Sequence, residues 1–377
     1  MIGGTTNAAG VITAIRPLML LGSNGQLVTG RSKELMRMIF GASAAAYVLI
    51  AGLAATSAQA QNAQPSGAMG GSMVGTMSPG DYMQPGFMVG KAGEWMLGFQ
   101  ATFDNMAGSL TGTGPISNGK ILERFATTPT DMQMQMYMFM AMYAPTDDLT
   151  LMAILPYIQK SMNHVSSMGG PFVERTDGIG DIELRGLYSI YKAANLRHRV
   201  ILTAGVGLPT GSIDKSIGGM RLEYPMQIGS GTVSLLPGLI YLGTESSWSW
   251  GGQFGSYLRL GSNSNGYTLG DRYRLSIWGA RELTDWLAVS LRADGEWWGN
   301  IRGADPLLDP RDEPTKDPTL QGGKRVDLLL GASVHPTEGI LKGHQFFIEA
   351  GAPVYESLDG PQLKRNWIAR VSWQRPF

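Results

Sequence analysis

The segment EWMLGFQATFD, residues 94–104, places Trp95, Leu97, Phe99, Ala101 and Phe103 at every second position, against Glu94, Gln100, Thr102 and Asp104. Successive side chains of a β-strand point to opposite faces, so this period makes a strand with one apolar and one wet face. DIELRGLYSIY (181–191) repeats it, with Ile182, Leu184, Tyr188 and Ile190 opposite Asp181, Glu183, Arg185 and Ser189. RVILTAGVGLP (199–209) turns Val200, Leu202, Ala204, Val206 and Leu208 to its apolar side. RYRLSIWG (272–279) and WLAVSLRADGEWW (286–298) set Tyr273, Leu275, Ile277, Leu287, Val289, Leu291, Ala293 and Trp297 against Arg272, Arg274, Arg292, Asp294 and Glu296. One face of the sheet therefore carries both signs of charge.

The chain holds 377 residues, no cysteine, and a formal net charge of zero, with only 16% charged residues. Soluble globular proteins average about 25%, so the apolar faces point to lipid. Beyond Gln61 no apolar run of about 18 residues occurs, which excludes spanning helices. The other structure that satisfies every backbone group inside a bilayer is a closed β-barrel. A soluble β-sandwich would alternate too, but it would have to bury the charged face at high cost. A wet lumen removes that cost.

With the remaining alternating segments, from TLMAILPYIQKS (150–161) to NWIARVSWQRPF (366–377), the tally is about twelve strands, an even number as single-chain bacterial barrels require. Short connections (APTDD, KAANLR, GTESS, ELT, HPTEGILKG) alternate with mostly longer ones at 105–130, 163–179, 210–230, 261–270, 298–323 and 356–364. Periplasmic turns and extracellular loops alternate in this way. The expected fold is an all-β, up-and-down antiparallel transmembrane barrel over 93–377, in the outer membrane and in contact with its lipid. Phe377, preceded at alternate positions by Trp373, Val371 and Ala369, resembles the C-terminal signal read by the barrel assembly machinery.

Residues 1–60 stand apart as a leader and signal peptide. Arg31, Lys33 and Arg37 precede an alanine-rich apolar run that ends in Ala58-Gln59-Ala60, the pattern of a cleaved secretory signal. The long stretch ahead of it suggests Met36 as the true start. Residues 61–92 contain QPSGAMGGSMVGTMSPGDYMQPG (64–86), a composition that makes a flexible periplasmic segment.

At GIGDIELRGLYSIY (178–191), GVGLPTG (205–211), YPMQIGSGTVSLLPGLIYL (224–242), MYAPTDDLTLMAILPY (142–157) and KSMNHVSSMGG (160–170), the sequence resembles the outer-membrane transporter family named after the MetA pathway of phenol degradation, particularly its methionine-rich members. The resemblance covers Gly93 to Phe377. It implies a barrel that passes small molecules, with aromatic compounds suggested by the pathway name. It also implies a weaker link to copper handling through methionine-rich relatives.

The inward charges are the first candidate functional set: Asp181, Glu183, Arg185, Arg199, Arg259, Arg272, Arg274, Arg292, Asp294, Glu296, Arg325, Asp327, Glu349 and Arg370. Charged side chains in a pore set selectivity, or pair across strands and fill it. The second set is the ladder Met132, Met134, Met136, Met138, Met140 and Met142 in DMQMQMYMFMAMY (131–143). Thioethers suit Cu(I) or Ag(I), and methionine also fills apolar surfaces without any ligand. Gln133 and Gln135 on the opposite face send the ladder to lipid, whereas Tyr137, Phe139 and Tyr143 argue the reverse; the polar-inward rule favours lipid. An inward ladder would be an apolar, polarisable strip suited to hydrophobic cargo.

Other chemistry is thinly supported. Asp305, Asp309, Asp312, Glu313 and Asp317 crowd one loop without the spacing of a calcium loop. His164 stands near Ser161, Asn163, Ser166 and Ser167 with no ordered triad, so no enzyme is expected. Neutral charge excludes a nucleic-acid footprint, and no cofactor is required. The expected function is a channel for small solutes, hydrophobic or aromatic ones among them, through a narrow charged lumen; the alternative is a copper- or silver-associated protein. N-terminal sequencing of the mature protein is expected to begin at Gln61.

Overall fold

The computed structural model describes residues 91–195 and 197–377. The leader expected over 1–60, and all but the end of the segment expected over 61–92, lie outside the described residues. Eleven long strands carry the architecture: β1 (Trp95–Gly112), β2 (Thr127–Thr146), β3 (Leu149–Ser166), β4 (Ile182–Lys192), β5 (His198–Leu208), β6 (Gly238–Glu245), β7 (Trp248–Arg259), β8 (Arg272–Thr284), β9 (Leu287–Trp298), β10 (Gly323–Val334) and β11 (Gln345–Pro376). Each pairs antiparallel with the next, and β11 pairs with β1, so the ring closes and leaves no edge in lipid.

β11 is 32 residues long and makes two passes. Residues 346–358 pair with β10 and residues 358–376 with β1. Contacts of Arg365 with Glu356 and of Arg370 with Glu349 join its two arms. Counted by passes the barrel is twelve-stranded. At the seam Trp95 and Phe377 exchange backbone hydrogen bonds of 3.2 and 2.7 Å, and the Phe377 ring stays exposed.

Asp147-Asp148, Ser246-Ser247 and Asp285-Trp286 form two-residue turns at one end. Ser246 adopts φ 50°, the left-handed conformation that tight hairpins demand. At the other end the connections are long, and residues 172–179 fold back onto β3. Short and long connections alternate as the sequence indicates, although β1 to β3 run well past the 9–11 residues that a bilayer needs.

That extra length overturns the favoured placement of the methionine ladder. Met138 is 1% exposed and Phe139 53%, so the methionines face the interior and the aromatics face outward. Tyr137 pairs with Tyr157 and Trp95 with Tyr143, two aromatic borders of the kind that flank the lipid belt. Gln135 pairs with Gln159 and Gln133 with Ser161, one and two steps beyond the upper border. The glutamines point outward, but above the lipid, where polar residues belong. Cysteine at Tyr137, carrying a fluorescent probe, is expected to be quenched by nitroxide lipid, and cysteine at Met136 to escape it; equal quenching would contradict the inward ladder.

Candidate functional site

The lumen has two unlike walls. Most inward residues of β2 to β6 nearest the short turns are apolar: Met138, Met140, Met142, Met152, Ile154, Leu187, Ile201 and Ile240 form one buried cluster with Met96 and Trp278. Trp278 lies flat against β7 because position 251 is glycine; a Cβ there would sit 2.1 Å from the indole. The guanidinium of Arg292 covers the same ring, 5.6 Å from its centroid, and joins the apolar wall to the charged one.

The charged wall comes mainly from β8 to β11. Arg292, Arg370 and Glu349 are each 1% exposed. Glu349 receives Arg370 at 2.6 Å and Arg292 at 3.3 Å, and Asp294 accepts from Arg274 and lies 3.6 Å from Arg370. Toward the outer mouth Arg325 reaches Glu296, Asp327 and Glu356, Arg365 reaches Asp104 and Asp327, and Arg272 reaches Glu296. On β4 Arg185 pairs with Glu183, and the Tyr257 hydroxyl donates to Glu183 at 2.9 Å. Seven arginines thus meet seven carboxylates, so the wall is neutral overall.

Arg365 and Glu356 escape the alternation rule. Trp367 faces outward, so parity sends Arg365 outward as well, yet the pairing steps from Asn105↔Trp367 to Met106↔Arg365 across a bulge at Asn366. A second bulge at Val354 steps from Val326↔Tyr355 to Asp327↔Pro353 and turns Glu356 inward. Bulges re-aim side chains by inserting an unpaired residue, and these two deliver an acid and a base to the same level.

The structure places the remaining expected residues as follows. Arg199 is half-buried near the short turns, Arg259 donates to Ser234 Oγ at 2.7 Å, and Asp181 accepts from the Gly211 and Ser230 backbones, which pins a loop. Arg185, Arg259, Arg272, Arg274, Tyr257 and Glu296 line a cleft of about 70 Å³.

Long connections cap the mouth. Leu222 and Met226, from the connection 209–237, are buried against Met132 and Met162, and Lys160 Nζ donates to the Pro225 and Gln227 carbonyls at 2.7 Å each. Tyr224 packs with Tyr267, Ile301 and Leu308, which brings three connections together. The connection crosses itself at Gly211 and Gly229, where a Cβ on Gly229 would meet the Gly211 carbonyl at 2.2 Å. Burial raises the Tyr267 hydroxyl to about 12. Asp309 sits at about 2, held down by hydrogen bonds from Arg311.

His164 is not set among its neighbouring serines. Ser161 and Asn163 fall on the other strand face by parity, Ser166 Oγ accepts from the Met168 backbone, and His164 approaches Glu313 and Glu223 instead.

Comparison with known proteins agrees with this architecture. Residues 125–312 match the family described as "Putative MetA-pathway of phenol degradation", which bears out the resemblance over that span. An outer membrane channel from Pseudomonas putida F1 has a TM-score of 0.54 at 13% identity, over 78% of this chain and 100% of that one; the two share the fold. The Pseudomonas putida toluene transporter TodX gives 0.39 at 12% identity, over 76% and 91%. A Pseudomonas aeruginosa FadL homologue gives 0.35 at 12% identity, over 75% and 89%. No curated protein matches the chain. The chain is a bacterial outer-membrane barrel that shares its fold with the Pseudomonas putida channel.

Glu349→Gln leaves two buried guanidiniums short of a carboxylate, and removing one partner of a buried pair costs about 3–5 kcal/mol. The variant is expected to lose its folded electrophoretic mobility at a clearly lower temperature than wild type, whereas exposed Lys324→Ala leaves that temperature unchanged.

Proposed function

We propose that this chain, a member of the family described as a putative MetA pathway of phenol degradation, passes small hydrophobic solutes along the methionine wall of its lumen. The observation that carries the reading is the inward ladder from Met132 to Met142, continuous with Met96, Met152 and Ile154. A strip of flexible thioether side chains offers apolar contact without a fixed shape, so planar and branched solutes fit it alike. The facing charged wall is neutral through mutual pairing, so it sets no strong ionic preference and narrows the path. Aromatic solutes agree with the family description and with Trp278 beside the ladder.

A second reading keeps the same wall and changes the cargo. The buried cluster gathers Met96, Met138, Met140, Met142 and Met152, and thioethers bind Cu(I) and Ag(I).

Entry of a fluorescent apolar amine such as N-phenylnaphthylamine into intact cells separates the two. Met136→Asp, in protein verified as folded, is expected to slow entry by about tenfold, a barrier of roughly 1.4 kcal/mol, with copper tolerance unchanged. Unchanged entry with lost copper tolerance would favour the metal reading.

A further inference from the structure

At the mouth, three segments distant in sequence bring one imidazole and two carboxylates together. His164 closes the upper end of β3; Glu223 precedes the turn Tyr224–Met226, and Glu313 precedes the turn Pro314–Lys316. His164 Nε2 lies 3.1 Å from Glu313 Oε1 and 3.7 Å from Glu223 Oε1, and one donor atom from each residue lies within 4.8 Å of the others. Their side chains are 0%, 4% and 1% exposed. His164 Nδ1 and Glu223 Oε1 have no hydrogen-bond partner, and His164 Nε2 and Glu313 Oε1 face one another only as an ion pair. A fourth donor, Glu174 Oε2 on the strand Phe172–Ile179, is buried and unpartnered as well.

The donors are fixed from behind. Glu313 Oε2 accepts from Thr127 Oγ1 at 3.1 Å, which aims Oε1 at the ring. The imidazole stacks on Phe172 with centroids 4.8 Å apart and planes 6° from parallel. Glu313 stands directly before Pro314, which limits its backbone freedom. Three acids with buried oxygens around a single imidazole leave more carboxylate than one ring can satisfy, which is costly by itself, and a cation removes the cost.

We propose that His164, Glu223 and Glu313, with Glu174 beside them, bind one divalent transition ion, for which Zn²⁺ is the probe. One imidazole with carboxylates suits borderline ions such as zinc. Calcium takes six to eight oxygens, and the soft monovalent ions go to thioethers. Metal bonds of about 2.0–2.2 Å put tetrahedral ligand atoms about 3.3–3.6 Å apart, close to the spacings here. The ion ties the connections 209–237 and 299–322 to β3 and locks the cap over the lumen. The site stands on the geometry of the mouth alone and is independent of the solute that the barrel passes.

The test is Zn²⁺ titration into the folded mature protein in detergent, with elemental analysis after dialysis. One ion per chain is expected, bound more tightly than about 1 µM. His164→Gln and Glu313→Gln are expected to weaken it by more than about 100-fold, beyond what loss of a supporting partner costs, while Met138→Leu leaves it unchanged. No stoichiometric zinc in wild type, or equal binding by folded His164→Gln, overturns the site. Should the variants fail to fold, X-ray absorption of Co²⁺-loaded wild type decides: a shell of one imidazole with oxygens supports the site, and a shell without nitrogen or with sulfur removes it.

Discussion

Hydrocarbon offers no hydrogen bonds, and every part of this molecule answers to that constraint. A sheet in lipid must leave no edge, so β1 has to find β11, and the twelve passes have to close in register. Once the ring is closed, period-two alternation sorts every side chain into lipid or lumen. Charges denied the outside collect inside, and because the interior is narrow they face one another rather than water. The neutral set of arginines and carboxylates is thus the counterpart of the apolar belt.

Much of this was legible in the residues. Trp95 to Asp104, Asp181 to Ser189 and Arg272 to Gly279 alternate without interruption, and regular pairing kept their expected faces. The ladder failed on height rather than on period: Gln133 and Gln135 carry no mark of standing above the lipid belt, and only the pairing of Tyr137 with Tyr157 shows it. Glu356 fell within 356–364, read as a connection although strand runs through it, and Arg365 lies beside a bulge that a strict period of two passes over. Two aromatic borders at matching distances from a hairpin turn are the signal that would have placed the ladder.

The cap was illegible for a different reason. Tyr224, Tyr267 and Leu308 belong to three connections with no shared period, and their contacts are set by how deeply each loop enters the barrel. His164 read as a neighbour of serines because adjacency in sequence is all that a loop displays. Glu223 sits 59 residues downstream of it and Glu313 another 90, as their numbers show, and neither has a local feature that announces the meeting.

The paired bulges at Val354 and Asn366 bear on how this lineage can change. Each adds one outward residue to an arm of the same hairpin. Deleting Val354 leaves Asp327↔Pro353 and Val326↔Tyr355 as successive pairs, and deleting Asn366 does the same for Asn105↔Trp367 and Met106↔Arg365, so either loss regularises its arm and keeps Glu356 and Arg365 inward. The two insertions are therefore separable: each arm can shed its extra residue on its own while the lumen keeps the same charged layer.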